Sequence, residues 1–520
     1  MLTRMPFESS ALWRMLLATV MVAAVASAPV ALNAAASPAG SAIQLEAAGP
    51  SRELPPRIAG ASSEPLIEHL IGNPAKTAAL QAIAPAILRF PGGSQANFYD
   101  WKRGLLDLQE NSRSSAYVKF WAQIAPKIAR TFPHGIHLED YLPLARGVGA
   151  DVILVPNLET ATLDDQTAWF QQLAARDILP KNIELGNEFW IAMASDPDSL
   201  RRWPDEPQAM TVMHRYEQAL RPIVGPGAKF AVQAAAAAFW VDPRARGQLA
   251  QRLNEWDAAL RPESWFEAVT IHLYPSLEPL RKLPGGDTHA GLFRYLMARG
   301  DGGVDRTIAG ISSRVPGKEI WVTEWGANGA GNWAQHGPEP VTPSMFAQVA
   351  TRMLLAILRH PAVTHELFFT LNFDPPKQSY FVRTGDGGQR PVPAAQILGW
   401  FNRAANGGVR FQRVVDRDAT PVSPGVSHDD SYRVVEGAVF TSPDATTLIL
   451  QNAGPVARAF DPTDGGKLSA PKSIEYITTP NLDDSERRAV QVDHLPTTGV
   501  FPVPAYSVVR VIWAGKVAVF

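Results

Sequence analysis

The sequence predicts an α/β protein: a (β/α)8 TIM barrel followed by a C-terminal antiparallel β-sandwich. Three observations point there. Up to about Asn402, short continuous apolar runs alternate with amphipathic stretches at helical spacing, as expected of parallel strands covered on the outside by helices. Beyond about Gly408, short alternating runs separated by Gly, Pro, Asp and Ser replace that pattern, which reads as antiparallel sheets. The length of 520 residues is long for one domain and suits a barrel with an accessory domain.

The elements follow in order. Residues 1–36 read as a signal peptide. Arg4 and Arg14 precede the apolar run Met15–Val25, and small residues follow at Ala26–Ala28 and Ala34–Ala36. The run is short and Ala-diluted for a membrane anchor. Export to the periplasm or beyond is therefore expected, with a mature start between Pro29 and Ser37 and no membrane association afterwards. Residues 37–60 are rich in Pro, Ala and Ser and are expected to cross to the C-terminal domain or lie on its surface. The barrel is assigned to residues 61–405. Its strands are read at Ala86–Phe90, Asp151–Pro156, Ile183–Leu185, Lys229–Ala236, Ala268–Leu273, Ile320–Thr323 and Glu366–Leu371. An eighth is required upstream, near Glu64–Glu68 or in the Arg57 region. Helical spacing is read at Leu66–Leu70, Ala75–Ile83, Ala116–Ala129, Leu138–Gly147, Asp164–Ala175, Ala209–Ile223, Leu249–Ala259, Pro343–Arg359 and Ala394–Asn402. Residues 406–520 form the β-sandwich, with strands at Val409–Val415, Tyr432–Thr441, Thr446–Gln451, Ile474–Ile477 and Tyr506–Trp513.

Composition narrows the function. A net charge of -2 argues against a nucleic-acid partner or a polybasic membrane surface. With no Cys at all, disulfides, thiolate metal sites and a thiol nucleophile are excluded. No nucleophile elbow, zinc helix, phosphate loop or dinucleotide fingerprint is present. No metal and no cofactor are expected, and oligomeric state is not legible.

Two stretches carry the chemistry. In NIELGNEFWI, Asn182–Ile191, an apolar strand stops at Gly186 and delivers Asn187 and Glu188 beside Phe189 and Trp190. Partial desolvation by those rings would favour a neutral carboxyl, as a general acid requires. In KEIWVTEWGANGAG, Lys318–Gly331, a second strand delivers Glu324 beside Trp325 and a Gly-rich loop. Functional residues of such a barrel collect at the C-terminal ends of its strands. Two carboxyls there, roughly 5–5.5 Å apart, are what retaining glycoside hydrolysis needs. The other strand ends offer Arg89, Phe90, Asn97, Tyr99, Asp100 and Trp101; Asn157 and Glu159; Gln233; His272 and Tyr274; and Asn372 and Asp374. Amides, carboxyls, a His and flat aromatics in one mouth suit a sugar.

These motifs resemble the clan A glycoside hydrolases. Gly186–Glu188 resembles the clan's Asn-Glu pair, which implies that Asn187 binds the sugar 2-hydroxyl and Glu188 is the acid/base. Thr323–Gly326 resembles the nucleophile site, which implies that Glu324 is the nucleophile. Arg89 and Tyr274 resemble the residues that hold its carboxylate. Leu88–Trp101, LRFPGGSQANFYDW, is similar to a turn of α-L-arabinofuranosidases, whereas ELGNE resembles the heparanase and β-glucuronidase family. Phe189 stands where many relatives have Pro. The resemblance implies a retaining hydrolase of a polysaccharide or oligosaccharide, β-glucuronidase- or heparanase-like first, α-L-arabinofuranosidase or β-xylosidase as the alternative. Arg89, Asn157, Asp100, Asn187, Trp190, Gln233, His272, Tyr274 and Trp325 are the expected substrate contacts. Two rivals remain: a non-catalytic glycan-binding protein on a decayed barrel, and an enzyme trimming the cell's own exported polysaccharide.

Overall fold

Short strands with almost every residue buried can be satisfied only when neighbours pair on both edges and helices cover the outside. The computed structural model, which describes residues 42–108, 116–191, 202–240, 247–275, 277, 288–326, 341–370, 381–383, 388–424, 430–484 and 488–517, meets that demand with a closed barrel. Its strands are β1 (Ala59–Ser62), β2 (Ile87–Phe90), β3 (Asp151–Leu154), β4 (Asn182–Glu184), β5 (Lys229–Gln233), β6 (Ala268–Leu273), β7 (Glu319–Trp325) and β8 (Val363–Phe369). Consecutive strands pair in parallel, and β8 closes onto β1 through Glu366–Phe369 and Ala59–Ser62.

The eighth strand lies just after Arg57. The Glu64–Glu68 alternative is instead a short helix, Pro65–Glu68, because Pro65 sets a helical φ at a first-turn position and has no N–H to give a sheet. The longer helices begin where their caps dictate. Asn73, Thr162, Asp205 and Thr342 each accept a hydrogen bond from the amide three residues on. Two helices between β6 and β7, His289–Ala298 and Val304–Arg314, are absent from the sequence reading. They are joined through a π-turn at Arg299–Gly303, whose RGDGG composition hides the continuity.

Inside the barrel one apolar cluster takes Ile87, Ile153, Ala231, Ala268, Trp321 and Leu367 from six strands. Side chains alternate across a strand, so residues two further along share that inward face. This parity places Arg89, Gln233, Thr270, His272 and Thr323 on the inner wall, towards the C-terminal ends.

The chain after the barrel forms an antiparallel sheet in the order β9 (Arg410–Asp416), β10 (Val435–Thr441), β11 (Ala445–Asn452), β13 (Ser507–Ala514), β12 (Ser473–Thr478). A smaller pair, Arg458–Phe460 with Phe501–Val503, packs its Phe460 and Phe501 into the same core as Val414, Leu450 and Val511. Upstream of the barrel, Leu45–Ala47 adds an edge strand against β9. No helix among the described residues is long and apolar enough to cross a membrane.

Candidate active site

Glu324 faces inward because β7 carries a bulge. Ile271 of β6 pairs with Val322, but His272 pairs with Glu324, so Thr323 is the extra residue. A bulge re-aims a side chain, and here both Thr323 and Glu324 reach the barrel mouth. Thr323 donates to Glu184 Oε1 at 3.1 Å. Glu324 accepts from Arg89 Nη1 at 2.5 Å on Oε1 and from the Tyr274 hydroxyl at 2.9 Å on Oε2. With donors on both oxygens the carboxylate is fixed in position and stabilised as the anion. Burial pushes the Glu324 carboxyl up, and the His272 and Arg89 cations pull against it.

Arg89 is itself held by a residue that sequence reasoning missed. Its Nε and Nη2 donate to the two oxygens of Glu184 at 2.8 and 2.9 Å, and Nη2 also reaches Asn187 Oδ1 at 2.8 Å. The Arg89 and Glu184 side chains are both fully buried. Burial alone would raise the Glu184 carboxyl, but Arg89 and His272 hold it below its ordinary range. The parity of β4 is the signal that could have found it: Ile183 belongs to the packing outside the barrel, so Glu184 must face in.

Glu188 sits immediately after the β4 turn. Gly186 takes φ 78°, and a Cβ there would lie 2.0 Å from the Phe189 ring, so only glycine lets that ring fold back beneath the turn. Glu188 itself is left-handed, φ 53°, a conformation uncommon for a residue with a side chain. Gln233 braces it, accepting from the Phe189 amide at 2.9 Å and donating to the Leu185 carbonyl at 2.8 Å. Arg252 clamps the other side through the Phe189 and Trp190 carbonyls at 3.1 and 3.0 Å. The two aromatic rings beside Glu188 pack on other rings. Phe189 stacks on Trp203 at 3.8 Å, and Trp190 lies edge-on to His272.

The group that meets Glu188 is His272. Its Nδ1 is 2.8 Å from Glu188 Oε1, and its Nε2 is 3.1 Å from Thr323 Oγ1. Burial would push this imidazole down, but Glu324, Glu184 and Glu188 surround it and hold it up at about 10. Oxygens of Glu188 and Glu324 and the His272 nitrogen all lie within 4.8 Å of one another. The same three atoms are near enough to ligate one ion. The 2.8 Å separation of the His272 and Glu188 atoms is that of a hydrogen bond and is tighter than the roughly 3.3 Å between ligands of a tetrahedral zinc.

Other carboxyls stand close by. Burial, with the Glu324 charge, raises Glu64 just beyond β1 to about 8. Burial likewise lifts Glu68, which accepts from Thr370 Oγ1 at 2.6 Å. Glu366 is raised by burial and accepts from Trp325 Nε1 at 2.7 Å. That bond faces Trp325 away from the mouth. Asn157 braces its own turn, accepting from the Glu159 and Thr160 amides at 3.0 and 2.9 Å. Asp100 caps Lys102 at 2.9 Å on a neighbouring hairpin. Of the expected contacts, then, Arg89, Asn187, His272 and Tyr274 gather at the Glu pair, and Trp190 and Gln233 support it. No described contact brings Asp100, Asn157 or Trp325 to it. Asn372, Asp374 and the Gly-rich loop after Gly326 lie outside the described residues. Two buried amide atoms at the mouth have no partner, Asn187 Nδ2 and Asn97 Oδ1. Buried polar atoms of this kind are expected to find a partner, and a sugar hydroxyl would supply one.

A carboxylate with donors on both oxygens and a second carboxyl within 4.8 Å of it thus stand together at the C-terminal mouth of a parallel barrel, where the functional residues of such barrels collect. No family model and no curated protein matches the sequence. Solved structures do match in fold. The GH51 arabinofuranosidase of Xanthomonas axonopodis pv. citri superposes with a TM-score of 0.61 at 14% identity, over 89% of this chain and 97% of that one. The family 51 α-L-arabinofuranosidase of Bifidobacterium longum gives 0.62 at 14%, over 91% and 100%. The family 44 xyloglucanase of Paenibacillus polymyxa gives 0.55 at 10%, over 90% and 98%. The chain therefore shares the barrel-and-sheet fold of these proteins across almost its whole length.

Proposed function

We propose that this protein is a retaining glycoside hydrolase with α-L-arabinofuranosides as its substrate class. The observation that carries the mechanism is the pair Glu188 and Glu324, with carboxyl oxygens within 4.8 Å. That spacing is nearer the roughly 5–5.5 Å between the carboxyls of retaining enzymes than the roughly 6.5–9.5 Å of inverting ones. A Glu324 oxygen attacks the anomeric carbon as Glu188 protonates the departing glycosidic oxygen, giving a glycosyl ester. Glu188, now the base, takes a proton from water, which attacks the same carbon and frees Glu324. Asn187 Nδ2 donates to the sugar in this reading, which its being buried without a protein partner supports.

Two observations favour the arabinofuranoside over the glucuronide that ELGNE suggests. The structural neighbours named above include two arabinofuranosidases. Among the described residues, the cations touching the Glu pair are Arg89 and His272, both engaged with carboxylates. A uronate would need a basic partner of its own.

The test is a panel of aryl glycosides, α-L-arabinofuranoside, β-glucuronide, β-xyloside and β-glucoside, followed by trapping with the matching 2-fluoro sugar. Turnover of the arabinofuranoside and label on Glu324 are expected. A label on another carboxylate would reject the assignment, and preference for the glucuronide would reject the substrate class. We also propose export through residues 1–36, on the strength of the charged front and apolar run. N-terminal sequencing of periplasmic or extracellular protein should then start between Pro29 and Ser37.

A further inference from the structure

Away from the active site, a cavity of about 460 Å³ opens where the barrel meets the sheet domain. Arg306 and Arg359 of the barrel line it, with Arg413 and Arg433 of the sheet domain, and so do Asp301 and Asp305. Asp301 belongs to the π-turn, a local irregularity often found at functional sites.

The charges around this cavity do not balance. Two further guanidiniums stand behind the wall, Arg299 and Arg352, with two further carboxylates, Asp430 and Glu436. Among these described residues, six guanidiniums thus meet four carboxylates. Each carboxylate is already engaged. Glu436 accepts from Arg413 at 2.7 and 3.0 Å and from Arg352 at 2.5 Å. Asp301 accepts from Arg359 at 2.7 Å. Asp305 accepts from Arg359 at 2.9 Å and pairs with His360 at 2.8 Å. Asp430 accepts from Arg299 at 2.9 Å and from Arg306.

Donors are left over as well as charge. Arg306 Nη2 is shielded from solvent without a partner, and so are Arg299 Nε and Arg352 Nε behind it. A surplus of guanidinium donors around a half-open polar cavity is what a planar or tetrahedral oxyanion matches. We propose that this seam cavity binds a compact oxyanion, namely a sulfate, phosphate or carboxylate group, gripped by Arg306 from the barrel and Arg433 from the sheet domain. The bound group bridges the two domains and balances the excess positive charge.

Isothermal titration calorimetry at constant ionic strength, with sodium sulfate, sodium phosphate and sodium chloride, tests the site. Thermal shift alone is inadequate, because sulfate stabilises folded proteins by exclusion from their surface. Saturable one-to-one binding of sulfate or phosphate, and none of chloride, is expected. The double variant Arg306→Gln, Arg433→Gln should weaken it by about tenfold or more, as loss of charge-assisted hydrogen bonds implies. Turnover of an aryl glycoside should stay unchanged, since neither residue touches the Glu pair. If the double variant does not fold, Arg306→Lys keeps a charge beside Asp430 but removes the Nη2 donor and should also bind more weakly. An oligogalacturonide compared with a neutral xylo-oligosaccharide of equal length identifies the source. Binding of the former shows that the site takes an acidic group on a glycan, and binding of inorganic ions alone shows that it takes a free oxyanion. No saturable binding of any of these anions, or equal affinity in the wild type and the variants, overturns the proposal.

Discussion

At the scale of single residues, the two Glu side chains differ in what holds them. Glu324 has a donor on each oxygen, whereas the Glu188 contact is His272. Their loss should therefore read out differently. Glu188→Ala should slow substrates with poor leaving groups by about 10²–10⁴-fold, as expected for removal of a general acid, and activated aryl glycosides far less. Added azide should restore turnover and give a glycosyl azide of retained configuration by NMR. Glu324→Ala should lose both substrate types together, and any azide product should be inverted. An inverted azide product from the Glu188 variant would mean that the roles are exchanged. Glu184→Gln tests the support beneath them. Removing one member of a buried pair costs about 3–5 kcal/mol, so the variant should melt lower, and Arg89 freed on one side should hold Glu324 less rigidly.

At the scale of elements, the site depends on places where regular structure is interrupted. The bulge in β7 lets two adjacent residues, Thr323 and Glu324, serve the same mouth. The turn after β2 brings backbone against Glu324. A Cβ on Gly93 would lie 2.4 Å from Glu324 Oε1, so Gly93 is required by close approach rather than by a positive φ. Gly93→Ala should displace the carboxylate and lower kcat by orders of magnitude while leaving the melting temperature nearly unchanged. Loss of both together would assign Gly93 to folding instead. A 1 Å misplacement of a reacting group is enough to cost about 10²-fold.

At the scale of the whole molecule, two buried groups hold on to their protons, Glu64 because burial disfavours its charge and His272 because carboxylates surround it. His272 is held up at about 10 and Glu64 at about 8. Both folded values lie above the ordinary ones. The stability these groups contribute is thus present at low pH and is lost as pH rises, through about 8 for Glu64 and about 10 for His272. Calorimetric melting temperatures should fall between pH 7 and 10, and His272→Gln and Glu64→Gln should each flatten that fall. A wild-type profile with no alkaline slope would contradict the assignment. The domain seam is a second global determinant. Arg352, fully buried, joins the helix Pro343–Leu358 to Glu436 of β10. Arg352→Met should remove the buried ion pair with Glu436 and lower stability by about 3–5 kcal/mol, seen as an earlier transition in denaturant.

The sequence by itself determined the barrel, the antiparallel domain after it and the Glu pair. Each rests on local order: hydrophobic period, strand-end position and the residues flanking a stop. It also placed Arg89, Asn187, His272 and Tyr274 at strand ends, where the structure gathers them. Tertiary structure alone decided the rest. The first strand fell after Arg57, not at Glu64–Glu68, since only pairing with β8 and β2 distinguishes AGAS from a loop. Glu184, read as part of an apolar strand, became the partner of Arg89 because closure faced it inward. Trp325 and Gln233 sit next to or among site residues in sequence yet pair with Glu366 and the Leu185–Phe189 backbone. The physical reason is common to all of these. Along one strand, neighbours in sequence point to opposite faces, and which face becomes the active-site mouth is set only when distant strands close the barrel.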